Sequence, residues 1–325
     1  MLVVVLFLNV RYGSVAISFR TFLQAFFSSE QVSGIVMAIL FDVRLPEALT
    51  AVLAGSGLAL SGLLLQTFFR NPLTGPSILG ISSGASLGVA LVLLSGVGLV
   101  FQSSWFTQFA ISAAGMAGAM GVLFIIIAVA RKMMSNVALL IIGLMVGYLV
   151  SALVSVLLFY SNEERIQNYV FWGMGSFSDV NGVALGILAC VVVVSIVFTM
   201  LRFNVLNVLL LGDNYAKNLG VNLKKERTLL ILFSGLLAGV ITSFCGPIAF
   251  LGMAVPHLVR SVFKTARHEV LIPGSVLIGA CLALVCNLIA DMPWSEQSLP
   301  INAITPLFGA PVVLAFILKQ KTYKA

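Results

Sequence analysis

Charged side chains are scarce in this sequence. Only 9% of its 325 residues are Asp, Glu, Lys or Arg, whereas 60% are hydrophobic and the mean hydropathy is +1.12. Because a soluble domain carries roughly a quarter charged residues, this composition excludes a soluble globular protein. Apolar stretches of about 20 residues recur along the whole length, which favours membrane-spanning helices over a β-barrel. We therefore predict an all-α polytopic membrane protein with one domain over residues 1–325.

Cysteine is also rare, and the cysteines form no C-x-x-C pair. All four lie in or at the ends of apolar stretches: Cys190, Cys245, Cys281 and Cys286. Neither a metal site nor a disulfide framework is indicated. The first ten residues, MLVVVLFLNV, lack a basic region and a small-residue cleavage site. We interpret them as the back half of a first transmembrane helix rather than as a secretory signal.

Ten spans are predicted when the apolar runs are broken at clusters of charge, Pro and Gly. They fall near 1–10, 46–69, 77–100, 107–130, 136–160, 182–202, 228–245, 248–262, 271–290 and 301–318. If the basic loop 203–227 is cytoplasmic, fourteen of the 18 Lys and Arg residues lie on the cytoplasmic side. The outer side then holds Arg11, Arg20, Arg44 and Arg165. Because Lys and Arg favour cytoplasmic connections, this distribution supports the assignment.

The predicted spans carry no charged residue near their middle. Ion-coupled transporters usually need an intramembrane carboxylate, His or Arg to bind the coupling ion. An ion-coupled secondary transporter is therefore a distant alternative. If the protein moves a solute, we expect the energy to enter from outside the spans.

Small residues form a ladder on the fifth predicted span. Four of them are spaced four apart on one helical face: Gly143, Gly147, Ser151 and Ser155. In lipid, such a face lets a neighbouring backbone approach closely. Packing within the chain explains the ladder, and so does a face that lines a pathway or contacts another subunit. The third span has a similar small face that includes Gly84 and Gly88, for which we predict close helix packing.

A short motif occurs twice. The letters S-G-L-L appear at 61–64 and 234–237, each followed by a Gly-Pro pair and then a Leu-Gly pair. Under the charge assignment, the first copy runs inward and the second outward. An inverted repeat gives this pattern, although so short a match also arises by chance.

Residues 80–84 match G-x-S-x-G, with His257 as the possible base. A nucleophile elbow requires a strand, a turn and a helix on a soluble sheet, which this composition does not supply. An intramembrane Ser-His hydrolase would need a third partner that the spans do not offer. We therefore predict no catalytic residue, and for His257 a helix-end hydrogen bond.

The loop L-G-D-N-Y-A-K-N-L-G-V-N-L-K-K-E-R at 211–227 predicts a short amphipathic helix. We expect Asp213 to cap it, Ala216 and Leu219 to share one side, and Gly220 to end it. Such a helix can insert into a groove of a partner protein. The alternative is a basic loop that lies on anionic lipid headgroups.

Taken together, the motifs resemble the FecCD family of permease subunits from ATP-driven importers for iron-siderophores, haem and vitamin B12. The resemblance rests on R-L-P at 44–46, S-G-x-x-x-Q at 61–66, N-P-L at 71–73, W-G-M-G-S at 172–176, the 211–221 loop, C-G-P at 245–247, F-L-G at 250–252, P-H-L-V-R at 256–260, L-I-P-G at 271–274, and L-P at 299–300 with G-A-P at 309–311. These motifs occur in family order over 44–311.

The resemblance implies a fold and a set of partners. The fold is the inverted-repeat type II ABC importer permease, with ten transmembrane helices and both ends cytoplasmic. The partners are a second copy of the chain, two cytoplasmic ATPase subunits that use ATP and Mg, and a periplasmic binding protein. The chain itself would bind no cofactor, catalyse no reaction and interact with membrane lipid but not nucleic acid. It would lie in the bacterial cytoplasmic membrane and import an iron chelate, either siderophore or haem, with vitamin B12 as the alternative.

The resemblance also assigns roles to residues. The ATPase-coupling residues are Asp213, Ala216, Leu219, Gly220 and Val221. The translocation pathway is lined by Gly143, Gly147, Ser151, Ser155, Trp172 and Ser176, and the cytoplasmic gate is Ser135 with Asn136. Arg44 is the candidate for docking the binding protein. The sequence departs from vitamin B12 permeases here, because Glu47 replaces a second Arg and the loop 291–296 has none.

Overall fold

The computed structural model describes residues 1–13, 15, 17–27, 33–95, 104–132, 136–291 and 298–322. These ranges contain helices and connections but no strand, which confirms the all-α prediction. The helices are α1 (Leu2–Arg11), α2 (Phe19–Phe27), α3 (Gly34–Ala38), α4 (Leu45–Phe69), α5 (Ile81–Leu94), α6 (Ser104–Lys132), α7 (Asn136–Phe159), α8 (Glu163–Met174), α9 (Gly182–Leu201), α10 (Phe203–Leu210), α11 (Asp213–Asn218), α12 (Leu223–Cys245), α13 (Leu251–Phe263), α14 (His268–Ala290) and α15 (Ile301–Thr322). A π-helical segment, Ile39–Arg44, leads into α4, and a 3₁₀ segment, Pro76–Leu79, precedes α5.

Within the described ranges, six helices are long and apolar enough to cross a membrane. They are Gly34–Phe69, Thr107–Lys132, Val137–Phe159, Gly182–Leu201, Leu223–Cys245 and His268–Ala290. Four shorter apolar helices accompany them: Leu2–Arg11, Ile81–Leu94, Leu251–Phe263 and Ile301–Phe316. Each of these helices overlaps a span predicted from the sequence, so the chain is a multi-pass membrane protein.

Helix α4 lies at the centre of the molecule. Of its most apolar window, 83% is buried, against 67% or less for the other five long helices. It packs against α12, α13 and α14. Its small residues allow this approach, because a Cβ atom added at Gly279 of α14 would lie 2.5 Å from the carbonyl oxygen of Gly55.

The α5–α6 pair is equally tight. A Cβ atom added at Gly84 of α5 would lie 2.5 Å from the carbonyl oxygen of Gly118 of α6, and Gly88 lies directly against Ala114. Only glycine permits backbones to approach this closely. The predicted close packing of the small face of the third span is therefore confirmed.

The two S-G-L-L copies meet in the core. The hydroxyls of Ser61 and Ser234, the first residue of each copy, lie 2.8 Å apart, and both residues are fully buried. Each serine hydroxyl also approaches the other's carbonyl oxygen, at 2.8 and 3.1 Å. The neighbouring helices show the same pattern. Helix α4, which carries the first copy, contacts α13 and α14, which follow the second copy. Helix α12, which carries the second copy, contacts α5 and α6, which follow the first copy.

Candidate functional site

One end of the molecule carries the short helix α11. Gly212 precedes it with φ +111°, and Gly220 follows it with φ +80°, a conformation that strongly favours glycine. The Val221 amide donates to the carbonyl of Ala216, and the Gly220 amide donates to that of Lys217, both at 2.9 Å. This pair of bonds is a Schellman motif with Gly220 at C′, as the sequence predicts.

The prediction that Asp213 caps α11 is wrong. The capping residue is Gly212, and Asp213 is the first helical residue. Its carboxylate binds two guanidinium groups, accepting from Arg70 at one oxygen and from Arg227 at the other, the latter at 2.6 Å. Because both carboxylate oxygens bind guanidinium groups, they do not accept hydrogen bonds from the first backbone amides of α11, as a capping side chain would.

The predicted shared side of α11 is also wrong. Ala216 is fully buried, whereas Leu219 is 61% exposed and Tyr215 is 66% exposed. The helix ends before Leu219, so the spacing of three residues does not place it beside Ala216. Ala216 therefore anchors α11 to the chain, and Tyr215 and Leu219 present an apolar surface outward.

The turn after α4 is locked by residues of α13. The Arg260 guanidinium donates to the Gln66 side-chain oxygen at 2.6 Å, and the Gln66 amide donates to the Met253 carbonyl at 3.2 Å. His257 donates from Nε2 to the Pro72 carbonyl at 2.7 Å. Motifs from the two halves of the sequence thus hold each other in place at this end of the molecule.

The two residues considered for a hydrolase dyad, Ser82 and His257, bind different partners. The Ser82 hydroxyl lies 3.2 Å from that of Thr242, while His257 is engaged by Pro72. Serine and histidine have separate partners, as expected for residues that pack helices. His257 makes the helix-end bond predicted from the sequence.

At the opposite end, Arg44 lines a cavity of about 670 Å³. Its side chain is buried, with the residue 7% exposed. The guanidinium donates to the Arg11 carbonyl at 2.8 Å, to the Val10 carbonyl at 3.4 Å and to the Val15 carbonyl. Arg44 therefore caps the end of α1 and holds the segment that follows it.

Two carboxyl groups share this cavity. The side chains of Glu47 and Asp291 hydrogen-bond each other, and the Asn287 amide lies 3.5 Å from Asp291. Burial raises the pKa of the Asp291 carboxyl. The hydrogen bond with Glu47 and the positive charge of Arg44 lower this pKa, but burial has the larger effect. Asn287 continues the polar chain to Asn9 of α1 at 3.3 Å.

A second cavity, of about 510 Å³, lies between α6, α8 and the end of α12. Trp172 and Ser176 line it, and Trp172 stacks on Tyr169 with ring centroids 6.1 Å apart. Below it, the Asn302 amide donates to the Gly173 carbonyl at 3.2 Å and to the Pro247 carbonyl. Asn302 thereby joins α8, the loop after α12 and the start of α15.

The ladder on α7 divides into two parts. Gly143 is buried against the 3₁₀ segment, where an added Cβ atom would lie 2.7 Å from the Ile78 carbonyl oxygen, and Gly147 lies close to Gly80. Ser151 and Ser155 are exposed, and the Ser155 hydroxyl donates to the Ser151 carbonyl at 2.9 Å. The first half of the face thus packs within the chain, while the second half faces away from it.

Comparison with known proteins assigns this arrangement to a family. The model of the FecCD transport family matches residues 1–319. The chain belongs to this family. The FecCD assignment agrees with the resemblance found in the sequence motifs.

Among the relatives of this FecCD chain is the hemin transport system permease protein HmuU of Yersinia pestis, 32% identical over 326 residues, which cover 100% of this chain and 95% of that protein. Another is the vitamin B12 import system permease protein BtuC of Salmonella choleraesuis, 33% identical over 280 residues, or 86% and 83% of the two chains. A solved structure described as an inward-facing conformation of a metal-chelate type ABC transporter has a TM-score of 0.85 at 32% identity, covering 98% of this chain and 96% of that one.

The predicted gate of this FecCD chain falls at the edge of the described residues. Ser135 lies outside them, and α7 begins at Asn136. Sequence reasoning overlooked three residues that organise the two ends: Arg70, Arg227 and Asn302. In the sequence, Arg70 and Arg227 are two of the fourteen basic residues assigned to the cytoplasmic side, and no spacing rule relates either one to Asp213.

Proposed function

We propose that this chain is the membrane permease subunit of an ATP-driven importer that moves an iron chelate, siderophore or haem, across the bacterial cytoplasmic membrane. The observation that carries the proposal is the combination of a multi-pass FecCD fold with a short, anchored helix that presents Tyr215 and Leu219 outward. A hemin permease and a metal-chelate type transporter among the full-length relatives support the substrate class.

In the proposed assembly, two copies of the chain enclose the pathway, and two ATPase subunits bind the cytoplasmic face. The chain contributes ten spans as an inverted repeat, with both ends cytoplasmic. The exchange of hydrogen bonds between Ser61 and Ser234 supports the repeat, since equivalent residues of two inverted copies meet at their common axis. ATP and Mg act in the ATPase subunits, and the chain itself supplies no catalytic group or cofactor.

Helix α11 is the proposed coupling element, with Ala216 and the Gly220–Val221 turn fixing it and Leu219 contacting the ATPase. ATP binding and hydrolysis would shift α11 and bias the dimer between outward- and inward-open states. Motion of α7 would open the gate at Ser135 and Asn136.

The pathway is proposed to run along the exposed outer half of α7, past Ser151 and Ser155, with Trp172 and Ser176 near its entrance. Gly143 and Gly147 would serve it indirectly, because their contact with the 3₁₀ segment sets the position of α7. Weak polar groups on an apolar wall suit a bulky chelate that must be released again.

The binding protein is proposed to dock at the outer rim around the Arg44 cavity. Arg44 is buried there, so it supports the docking surface from beneath instead of projecting from it. Uptake and thermal stability should therefore fall together when Arg44 is replaced.

The test is reconstitution in liposomes with the co-expressed ATPase and binding protein, and with hemin, a ferric siderophore and cyanocobalamin as separate probes. We expect ATP-dependent uptake of an iron chelate and ligand-stimulated hydrolysis. Uptake of cyanocobalamin alone would assign the chain to vitamin B12 import, for which the BtuC relative is the reason. Uptake by the isolated chain under a proton gradient would contradict the proposal.

A further inference from the structure

Asp213 connects α11 to two separate parts of the membrane domain. Arg70 stands at the inner end of α4, 143 positions away in sequence, and Arg227 lies in the second turn of α12. Each donates to a different carboxylate oxygen of Asp213. A single side chain therefore joins the coupling helix to α4 and to α12, the two helices that meet at Ser61 and Ser234.

The surroundings keep this triad in place. Arg70 ends α4 in a left-handed conformation with φ 47°, which turns the chain sharply there. The Arg227 side chain is 15% exposed, and its guanidinium lies 5.8 Å from the centre of the Phe68 ring. Charge-assisted hydrogen bonds are stronger than neutral ones. Salt screens the Arg227 bond less than the Arg70 bond, because the Arg70 side chain is 36% exposed.

Helix α11 needs such an attachment because it has only six residues. A helix this short is not stable by itself in water. Burial of Ala216 fixes one side of it, while the exposed Tyr215 and Leu219 make no comparable anchor. A displacement of α11 by a partner moves the membrane helices only if α11 is rigidly attached to them.

We propose that Asp213 is a positioning residue that transmits displacement of α11 to α4 and α12 together, through Arg70 and Arg227. The proposal rests on the proposed importer function and refines it. The Asp213 carboxylate then acts inside the chain, and the ATPase contact belongs to its exposed neighbours Tyr215 and Leu219.

Asp213→Asn tests the attachment because it keeps the shape of the side chain and removes its charge. Lys217→Gln is the matched control, an exposed charge change on the same helix. Hydrogen exchange is measured on the complex with its ATPase. In Asp213→Asn we expect the amides of 213–221 to exchange about tenfold faster than in the wild type, and in Lys217→Gln at the wild-type rate.

Coupling is measured on the same samples as chelate uptake per ATP hydrolysed. Asp213→Asn should bind the ATPase and hydrolyse ATP, but its uptake per ATP should fall about fivefold or more. Arg70→Gln removes the link to α4 and should give the same result, so it decides the matter if Asp213→Asn does not fold. Asp213→Glu should retain most of the coupling.

Unchanged exchange or wild-type uptake per ATP in Asp213→Asn would overturn the proposal. Loss of ATPase binding with unchanged exchange would identify Asp213 as a direct contact and would also overturn it. The two proposals fail separately. If the wild-type complex shows no ATP-dependent uptake, the importer proposal is refuted. If the wild type and Asp213→Asn show the same uptake per ATP hydrolysed, only the positioning role is refuted.

Discussion

Arg44 is a buried cation whose hydrogen bonds go to backbone carbonyls. It donates to the end of α1 and to the segment beyond it. The last carbonyls of a helix have no partner within the helix, so a guanidinium there supplies bonds that water cannot easily replace. Its first role is therefore to hold α1 on α4.

Replacement of Arg44 should destabilise the fold before it affects any partner. We expect Arg44→Gln to lose about 2 kcal/mol, because hydrogen bonds to charged groups contribute about 1.5–3 kcal/mol. The measurement is the apparent melting temperature in detergent, which should drop by about 4 °C. Arg20→Gln, an exposed charge on the same outer side, should have no effect, and equal melting of the two variants would refute the role of Arg44.

Asp291 introduces a pH dependence at the same end. Burial raises its pKa in the folded protein, so the folded state holds a proton that the unfolded state releases first as pH rises. The bound proton of Asp291 therefore contributes its full share to the free energy of unfolding below about pH 4. This contribution is lost as pH rises through the folded-state pKa of Asp291.

Asp291→Asn should remove the loss of stability that accompanies ionisation of Asp291. The variant is expected to melt higher than the wild type at pH 7 and to vary less between pH 4 and pH 7. Melting curves followed by tryptophan fluorescence across that range provide the measurement. Glu163→Gln, at an exposed carboxylate on α8, should leave the pH dependence unchanged. A lower melting temperature for Asp291→Asn at pH 7 would show that the sign is wrong.

At the scale of elements, tight pairs of helices carry the packing. Helix α6 offers a matched comparison, because a Cβ atom at Gly118 would overlap the Gly84 carbonyl, whereas one at Gly121 would meet no atom within 4 Å. Gly118→Ala should cost about 1–3 kcal/mol through overpacking, and Gly121→Ala should be neutral or slightly stabilising. Thermal denaturation of the two variants checks this. Similar losses of stability in both variants would mean that α6 needs glycine at these positions for backbone flexibility and not for close contact with α5.

Prediction from sequence worked best where one physical rule dominates. Apolar length placed every long helix, and the small residues at Gly84 and Gly88 predicted a close helix pair that the structure confirms. It failed for α11, where the role of Asp213 depends on Arg70, 143 positions away. No local pattern reveals such a contact. The error at Leu219 has a simpler cause, since a helix of six residues, less than two turns, is too short for periodicity to define a face.

At the scale of the whole molecule, the orientation can be tested directly. The charge distribution predicts that α8 lies on the outer side and α11 in the cytoplasm. Glu163→Cys and Lys217→Cys are made separately in a Cys190→Ser background, and both sites are exposed. A membrane-impermeant maleimide should label Glu163→Cys in spheroplasts and Lys217→Cys only after permeabilisation. The reverse pattern would invert the topology.

The central position of α4 has a consequence for synthesis. Its polar side chains find their partners late: Gln66 binds Arg260, Thr67 binds His268, and Ser56 donates to the carbonyl of Val276, at separations of 194 to 220 residues. A ribosome adding about 5–20 residues per second needs roughly 10–40 s to produce them. During that interval α4 sits in the membrane with hydroxyl and amide groups that its final neighbours do not yet cover. Of the six long apolar helices, the most buried one must therefore be kept from wrong partners while the second half of the chain is still being made.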